Sequence, residues 1–397
     1  MNVMGLNFGY SGSVTIVSNG IILSHVVTAD EVDKKLARGV TKATIKKALD
    51  TADLRLKDID VTGVVNWYAD RDTDGSEMFD KVEEGFSITN DQGIEFSLED
   101  YVKFYNNNSM VAQGTFDLNI GDQKTKCMIV DHLFAHCAYA YMTSTFENAV
   151  GVCIDTNDGV AHNNAIYHFN DDGKQFRLWR RDNQFQVLNI YNAFTDFLGY
   201  HPAVENLDVL QNLAKNWYAD RDSAEYKEEL KVLDRICWPQ VIQMGDIFHG
   251  DMWTHLSLYN DNFDIPEKRE YFPLLKGEGD VDDSWWKKSE KPEPETIKFA
   301  ASVQYVTENS VKNYIEKIVK TYPKLNVCVG GKVTMNEGAM KYVKGENVFS
   351  TPSHNDEELS AGAALFISDQ LTKNKKKEVV TNEKRKFNNS LSHIKEL

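Results

Sequence analysis

The sequence contains no apolar run approaching the roughly 18 residues that a membrane span requires, so no membrane partner is predicted. Met1-Asn2-Val3-Met4 has neither the basic start nor the apolar stretch of a secretory signal. None of the five cysteines (Cys127, Cys137, Cys153, Cys237, Cys328) sits in a CxxC pair, and three lie in apolar, strand-like runs. That pattern predicts reduced, buried thiols in a cytoplasmic protein. The chain also lacks a GxSxG elbow and a GxxxxGK[ST] phosphate loop, which counts against hydrolase-elbow and Walker-type chemistry. Positive charge is short as well. The formal net charge is −16, and residues 373–397 carry eight Lys or Arg against three Glu, which leaves about −21 on the rest. So acidic a body repels a phosphate backbone at long range, and a general duplex-DNA binder is disfavoured. The basic tail itself reads as a solvated, poorly ordered end.

What is present is ordinary globular material. With 397 residues, 42% apolar and 26% charged, the chain is neither disordered, collagen-like nor coiled-coil. It is long enough for two lobes of roughly 150–200 residues each. Val3 to Phe8 reads as a strand followed by the small turn Gly9-Tyr10-Ser11-Gly12. Ser13–Ser18 and Ile21–Val27 form a hairpin about Asn19-Gly20. Thr41 caps a helix running to about Ala52, and Ile59–Trp67 is a further strand.

This order repeats in the second half. Ala149–Asp155 is a strand, Thr156-Asn157-Asp158-Gly159 a polar turn, and Asn164–Phe169 and Gln175–Arg180 a hairpin before a helix at Val187–Leu198. Two copies of strand, polar turn, hairpin and helix predict a duplicated α/β core. The heptapeptide Asn66-Trp67-Tyr68-Ala69-Asp70-Arg71-Asp72 recurs letter for letter at 216–222. The offset of 150 is close to the 146 separating Gly5 from Gly151. The expected division is a first lobe at 1–148 with an insertion near 73–123, a second lobe at 149–372 with an insertion near 203–291, and the tail at 373–397. Later elements are a long helix from Thr296, a strand at Asn326–Val329, a helix from Asn336 and a last helix at about Asp356–Leu371.

The sharpest local feature is Val130-Asp131-His132-Leu133-Phe134-Ala135-His136, just after an apolar strand. Histidines four apart share one face of a helix and can grip one ion, or can be hydrogen-bonded inside a core. Asp155 and Asp356 are acidic candidates to complete such a site, and two imidazoles with two carboxylates suit a divalent transition ion. Gly330-Gly331 at a strand end, with Asn336 opening the next helix, is either a phosphate cradle or an ordinary turn. The turn at Gly9-Tyr10-Ser11-Gly12 offers the same two readings. Cys137, at an apolar helix position with no activating cation, reads as a packing residue.

Taken in order, these segments resemble a known family. Met4-Gly5-Leu6-Asn7-Phe8-Gly9-Tyr10-Ser11-Gly12-Ser13 is similar to the opening of the O-carbamoyltransferases that modify antibiotics and nodulation factors. Asp131 to Tyr141 resembles that family's DHHxAHAxSAY, Ala300-Ala301-Ser302-Val303-Gln304 its AASLQ, and Val327 to Asn336 its LCLAGGVALN. Asp356 to Leu365 resembles its closing DxGLALGAAL.

The resemblance implies a duplicated actin-like, sugar-kinase-like core of two lobes about a central cleft, related to the enzyme that transfers threonylcarbamoyl to tRNA. It further implies that His132, His136, Asp155 and Asp356 hold a metal, Fe(II), and serve catalysis. Asn7, Gly9, Ser11, Gly12, Gly330, Gly331 and Asn336 would hold the nucleotide of carbamoyl-adenylate, made from carbamoyl phosphate and ATP. The implied reaction is carbamoyl transfer to a hydroxyl acceptor. A hydroxymethylated nucleobase as acceptor, and a non-catalytic nucleotide-binding subunit, are the alternatives.

The sequence departs from the family pattern at Leu133, where the family has a histidine, and at Met340, where it has a second asparagine. No lysine counterpart stands between Ala203 and Ala214. The family's C-terminal adenylate-forming domain has no counterpart here, so the expected partner is a separate adenylate-forming protein. Assembly into a homo-oligomer is left open.

Overall fold

The computed structural model describes residues 1–397 except 10, 33–38, 68–84, 98–99, 101–110, 112–115, 157–162, 171–174, 183–186, 189–190, 193–194, 196–208, 215–293, 342, 344, 352–355 and 373–397. The second heptapeptide copy, most of the second insertion, Cys237 and the basic tail lie outside the described residues.

The first sheet contains β1 (Asn2–Asn7), β2 (Ser13–Ser18), β3 (Ile21–Val27), β4 (Val61–Val65), β5 (Phe86–Thr89), β6 (Phe116–Ile120) and β7 (Gln123–Ile129), in the order β3-β2-β1-β4-β7-β6-β5. The second contains β8 (Asn148–Ile154), β9 (Asn164–Asn170), β10 (Gln175–Asp182), β11 (Asn326–Gly330) and β12 (Val348–Ser350), in the order β10-β9-β8-β11-β12. The two follow one plan. In each, three antiparallel strands precede two that run parallel to the first, β4 and β7 beside β1 and β11 and β12 beside β8. This is the duplicated actin-like architecture. The β2–β3 hairpin turns through Asn19 (φ 50°) and Gly20 (φ 82°), the paired positive φ of a tight turn that matches strand twist.

The segment near 73–123, expected as an insertion, carries strands of its own among its described residues. β5 and β6 add antiparallel strands to β7, which itself begins at Gln123. Ile88, Leu118 and Ile120 bury on the sheet face shared with β1, which gives those strands an apolar side to hold.

Helices α1 (Thr28–Val32) and α2 (Lys42–Thr51) follow the first hairpin. Thr41 caps α2, its hydroxyl accepting from Thr44 N at 3.0 Å, while Ile45, Ala48 and Leu49 turn inward. Between the sheets lie α3 (His132–Thr143) and, after α4 (Val209–Ala214), α5 (Pro294–Thr321) and α6 (Glu337–Lys341), the last helix α7 (Leu359–Thr372). Every residue of α3 from His132 to Met142 is buried, as befits a helix with apolar neighbours on all sides. The result is five layers. α2 covers the outer face of the first sheet with Met4, Leu6 and Phe8, α3 and α7 fill the middle with Val3, Val17 and Phe169, and α5 covers the outer face of the second sheet with Val150, Val152 and Val327.

Glycines set how closely the middle layer approaches. Gly5 and Gly63 face each other across β1 and β4, and a side chain on either would strike α7, at Ser360 O and at Ile367 respectively. In the second sheet a Cβ at Gly330 would stand 2.7 Å from His136 O of α3. The same device seats one helix on each sheet, a physical trace of the duplication. Among the described residues no helix is long and apolar enough to cross a membrane.

Candidate metal centre

Open α/β sheets bind ligands beyond the carboxyl ends of their parallel strands, and here those ends from both sheets converge. β1 ends at Asn7, β4 is followed by Asn66, and β7 leads into Asp131 and His132. From the other lobe, β8 delivers Asp155, β11 leads to Gly331, and β12 leads to Thr351. Asp356 and Glu358 stand just before α7.

Asp131 caps α3 by accepting from Phe134 N at 2.7 Å and also accepts from the Tyr167 hydroxyl at 3.0 Å. That fixes the start of the helix, and the i,i+4 spacing places the His132 and His136 rings 4.9 Å apart on one face. Their Nε2 atoms face two carboxylates. His136 Nε2 lies 2.9 Å from Asp155 Oδ2 and 3.6 Å from Asp356 Oδ1. His132 Nε2 lies 3.7 Å and 4.0 Å from the same two atoms. All four donor atoms fall within 4.8 Å of one another, and all four residues are buried.

The set fits a metal ion on three grounds. Four ligands about 2.1 Å from one ion stand about 3.4 Å apart in a tetrahedron; the four imidazole–carboxylate spacings here run from 2.9 to 4.0 Å, and the whole donor set stays within 4.8 Å. Two imidazoles and two carboxylates are the donors of a divalent transition metal. His136 Nε2 makes no hydrogen bond of acceptable geometry despite its burial, although Asp155 Oδ2 is only 2.9 Å away.

The histidines are held from behind. His132 Nδ1 is 3.0 Å from Asn66 Oδ1, and His136 Nδ1 is 2.9 Å from Glu358 Oε1. Neither partner was singled out from the sequence. Asn66 did carry a signal, since it opens the repeated heptapeptide; Glu358 carried none beyond its place in an acidic run. Burial disfavours a charged His136 ring, but the carboxylates of Asp155, Asp356 and Glu358 outweigh it and hold the imidazole pKa well above its ordinary value. Burial also acts to raise the Asp155 carboxyl, and His132 with His136 hold it far below the usual range instead. Cys137 and Cys153 are inert packing thiols, pushed up by burial.

The predicted nucleotide residues divide. Asn7 joins the centre directly: its Nδ2 donates to Asp356 O at 2.9 Å and to Ser11 O at 3.3 Å, and its Oδ1 accepts from Asn66 Nδ2 and Gly9 N, each at 3.0 Å. Gly9 and Gly12 are tightly packed, since a side chain at Gly9 would strike the Asn66 amide and one at Gly12 the backbone of Gly39. Ser11 is buried with φ 52°. Gly331 (φ 85°) turns the chain so that Lys332 N donates to Asp155 Oδ2 at 3.2 Å. Gly330 packs under α3. Asn336 is not among the four donors. It pairs with Gln304 of α5, donating to Oε1 at 3.0 Å and accepting from Nε2 at 2.8 Å.

A two-lobed actin-like core with a buried His₂Asp₂ cluster between its sheets defines the structural class. The family model described as the carbamoyltransferase N-terminus matches residues 2–365, and the chain belongs to that family of transferases. None of the curated proteins matches it significantly. Among solved structures it is similar to component A of (R)-2-hydroxyglutaryl-CoA dehydratase from Acidaminococcus fermentans. That similarity has 11% identity and a TM-score of 0.42, over 94% of this chain and 99% of the other.

Proposed function

We propose that this chain moves a carbamoyl group from carbamoyl-adenylate to the hydroxyl of a small-molecule or nucleotide acceptor, with a divalent metal, Fe(II), held by His132, His136, Asp155 and Asp356. The observation that carries the reading is the convergence of those four buried side chains from two lobes onto one point.

The acceptor oxygen forms a bond to the carbamoyl carbon, the bond from that carbon to the adenylate phosphate oxygen breaks, AMP departs, and the acceptor proton passes to solvent. A divalent cation held by His132, His136, Asp155 and Asp356 would supply Lewis-acid chemistry, polarising the carbamoyl group and offsetting charge on the leaving phosphate. The protein's part is placement. Asn66 and Glu358 orient the two imidazoles by their Nδ1 atoms, and Lys332 N fixes one oxygen of Asp155. Asn7 ties the first turn to the backbone of Asp356, so both lobes hold one frame. Asp356 is the least buried of the four, at 8% exposure against 0–2% for the others. The substrate side of the centre is therefore the Asp356 side, and burial of the rest keeps water from hydrolysing the mixed anhydride.

The test supplies labelled carbamoyl phosphate, ATP and Fe(II) anaerobically, with a separately purified adenylate-forming domain. Label is followed into a panel of sugars, hydroxymethyl nucleotides and DNA. Transfer to one acceptor class that is lost in His132→Ala supports the reading. Transfer undiminished in His132→Ala, or no transfer while the helper domain makes adenylate, overturns it.

A further inference from the structure

The two imidazoles of the centre are backed by different chemistry. A neutral amide, Asn66 Oδ1, faces His132 Nδ1 at 3.0 Å, whereas a carboxylate, Glu358 Oε1, faces His136 Nδ1 at 2.9 Å. Glu358 is buried, at 4% exposure, and among the described residues its other oxygen accepts a long 3.4 Å contact from the Thr351 hydroxyl. Burying a carboxylate is costly unless a strong donor faces it. Here the ring N–H of His136 is that donor. A glutamine would satisfy the same two neighbours without the charge, so the sequence retains a charge where packing alone asks for none. Glu358 is also close in sequence to Asp356, so one short stretch before α7 carries both a donor to the centre and the support of a second donor.

Resting on the metal reading above, we infer that Glu358 is a positioning residue that fixes His136 as a strong Nε2 ligand. A carboxylate at Nδ1 holds the proton on that nitrogen, so the Nε2 lone pair points at Asp155 and Asp356. It also makes the imidazole a better electron donor, as outer carboxylates do for metal-bound histidines generally. His136 is then the tighter of the two imidazole ligands and His132, on a neutral amide, the looser.

The test uses Zn(II) as a diamagnetic probe on the full chain. Its affinity is measured by competition with a chromophoric chelator for wild type, Glu358→Gln and Glu358→Ala, and melting curves of the metal-free proteins report folding. The isosteric Glu358→Gln binds about 10-fold more weakly and Glu358→Ala up to about 100-fold. In Zn(II)-loaded wild type, nitrogen NMR of His136 shows a protonated Nδ1 and a metal-shifted Nε2, a readout that needs no variant. Binding by both variants within about twofold of wild type overturns the inference and leaves the metal reading standing. So does an Nδ1-ligated His136. Failure of wild type to bind Zn(II) overturns the metal reading and this inference with it.

Discussion

Asn66 reaches two residues that lie far from it in sequence: its Oδ1 is 3.0 Å from His132 Nδ1 and its Nδ2 donates to Asn7 Oδ1 at 3.0 Å. It does so from a left-handed backbone, φ 59°, a conformation asparagine tolerates better than most residues. Asn66→Ala therefore loses the ring support and adds backbone strain of about 1–3 kcal/mol, whereas Asn66→Gly loses the support alone. Both variants are expected to bind Zn(II) about 10- to 100-fold more weakly, with Asn66→Ala also melting earlier. Chelator competition and thermal melting separate the two effects. Wild-type affinity in Asn66→Gly would reduce Asn66 to a packing residue.

The contact between α7 and α3 is as close as backbone allows at Gly362, where an added Cβ would strike Ala135 O. No flexible side chain can give way there, because the obstacle is main chain one residue from His136. Gly362→Ala is expected to destabilise the fold by about 1–3 kcal/mol and to weaken metal binding, since any relief pushes α3 away from α7 and Asp356. Denaturant unfolding alongside Zn(II) titration checks both. Unchanged stability would mean that the helices have slack that the geometry does not show.

Local signals carried the fold. Asn19-Gly20 marked its hairpin by chemistry confined to two residues, and Thr41 marked its helix in the same way. The spacing of four between His132 and His136 made a shared ligand face legible without any tertiary knowledge. Long-range partners left no such mark: Glu358 is 222 positions from His136, and its carboxylate sits in a run of acids that any helix N-terminus attracts. β5 and β6 were hidden because the polar stretch around them dominates its composition, though the alternation of Leu118 and Ile120 was readable. The glycine turns were ambiguous for a physical reason. Close backbone approach to a ligand and close approach to Asn66 or Gly39 demand the same absent side chain.

His25 contributes one part of the pH dependence of stability. Its Nδ1 is 2.8 Å from Thr15 Oγ1, which is 2.7 Å from Ser360 Oγ, so β3 is tied through β2 to the start of α7. Burial lowers its pKa to about 4. Above about pH 6.5 the ring is neutral folded and unfolded, and contributes nothing to the pH dependence. Below that, the unfolded chain takes up a proton that the folded ring refuses until about pH 4, so stability falls as pH drops through that window. Melting temperature is expected to decline less steeply between pH 6.5 and 4 in His25→Gln than in wild type. Parallel declines in the two proteins would remove His25 from the account.

Gly331 links the second lobe's turn to the centre. With φ 85°, it occupies a conformation that costs an L-residue about 1–3 kcal/mol. A Cβ there would stand 2.6 Å from Ile154 O, 2.8 Å from Cys153 Sγ and 3.1 Å from Asp155 Oδ2. The first two contacts lie on the strand that delivers Asp155, so relief moves the carboxylate that also accepts from Lys332 N. Gly331→Ala is expected to lose stability in that range and to bind Zn(II) at least about tenfold more weakly, because the displaced group is itself a donor. Gly20→Ala is the control. It has a similar φ of 82° and nothing within 4 Å of its Cβ, so strain acts there without touching the centre. Comparable destabilisation in both variants, with the affinity loss confined to Gly331→Ala, assigns the effect to Asp155. Equal affinities in the two would show that the turn shapes the fold and not the site.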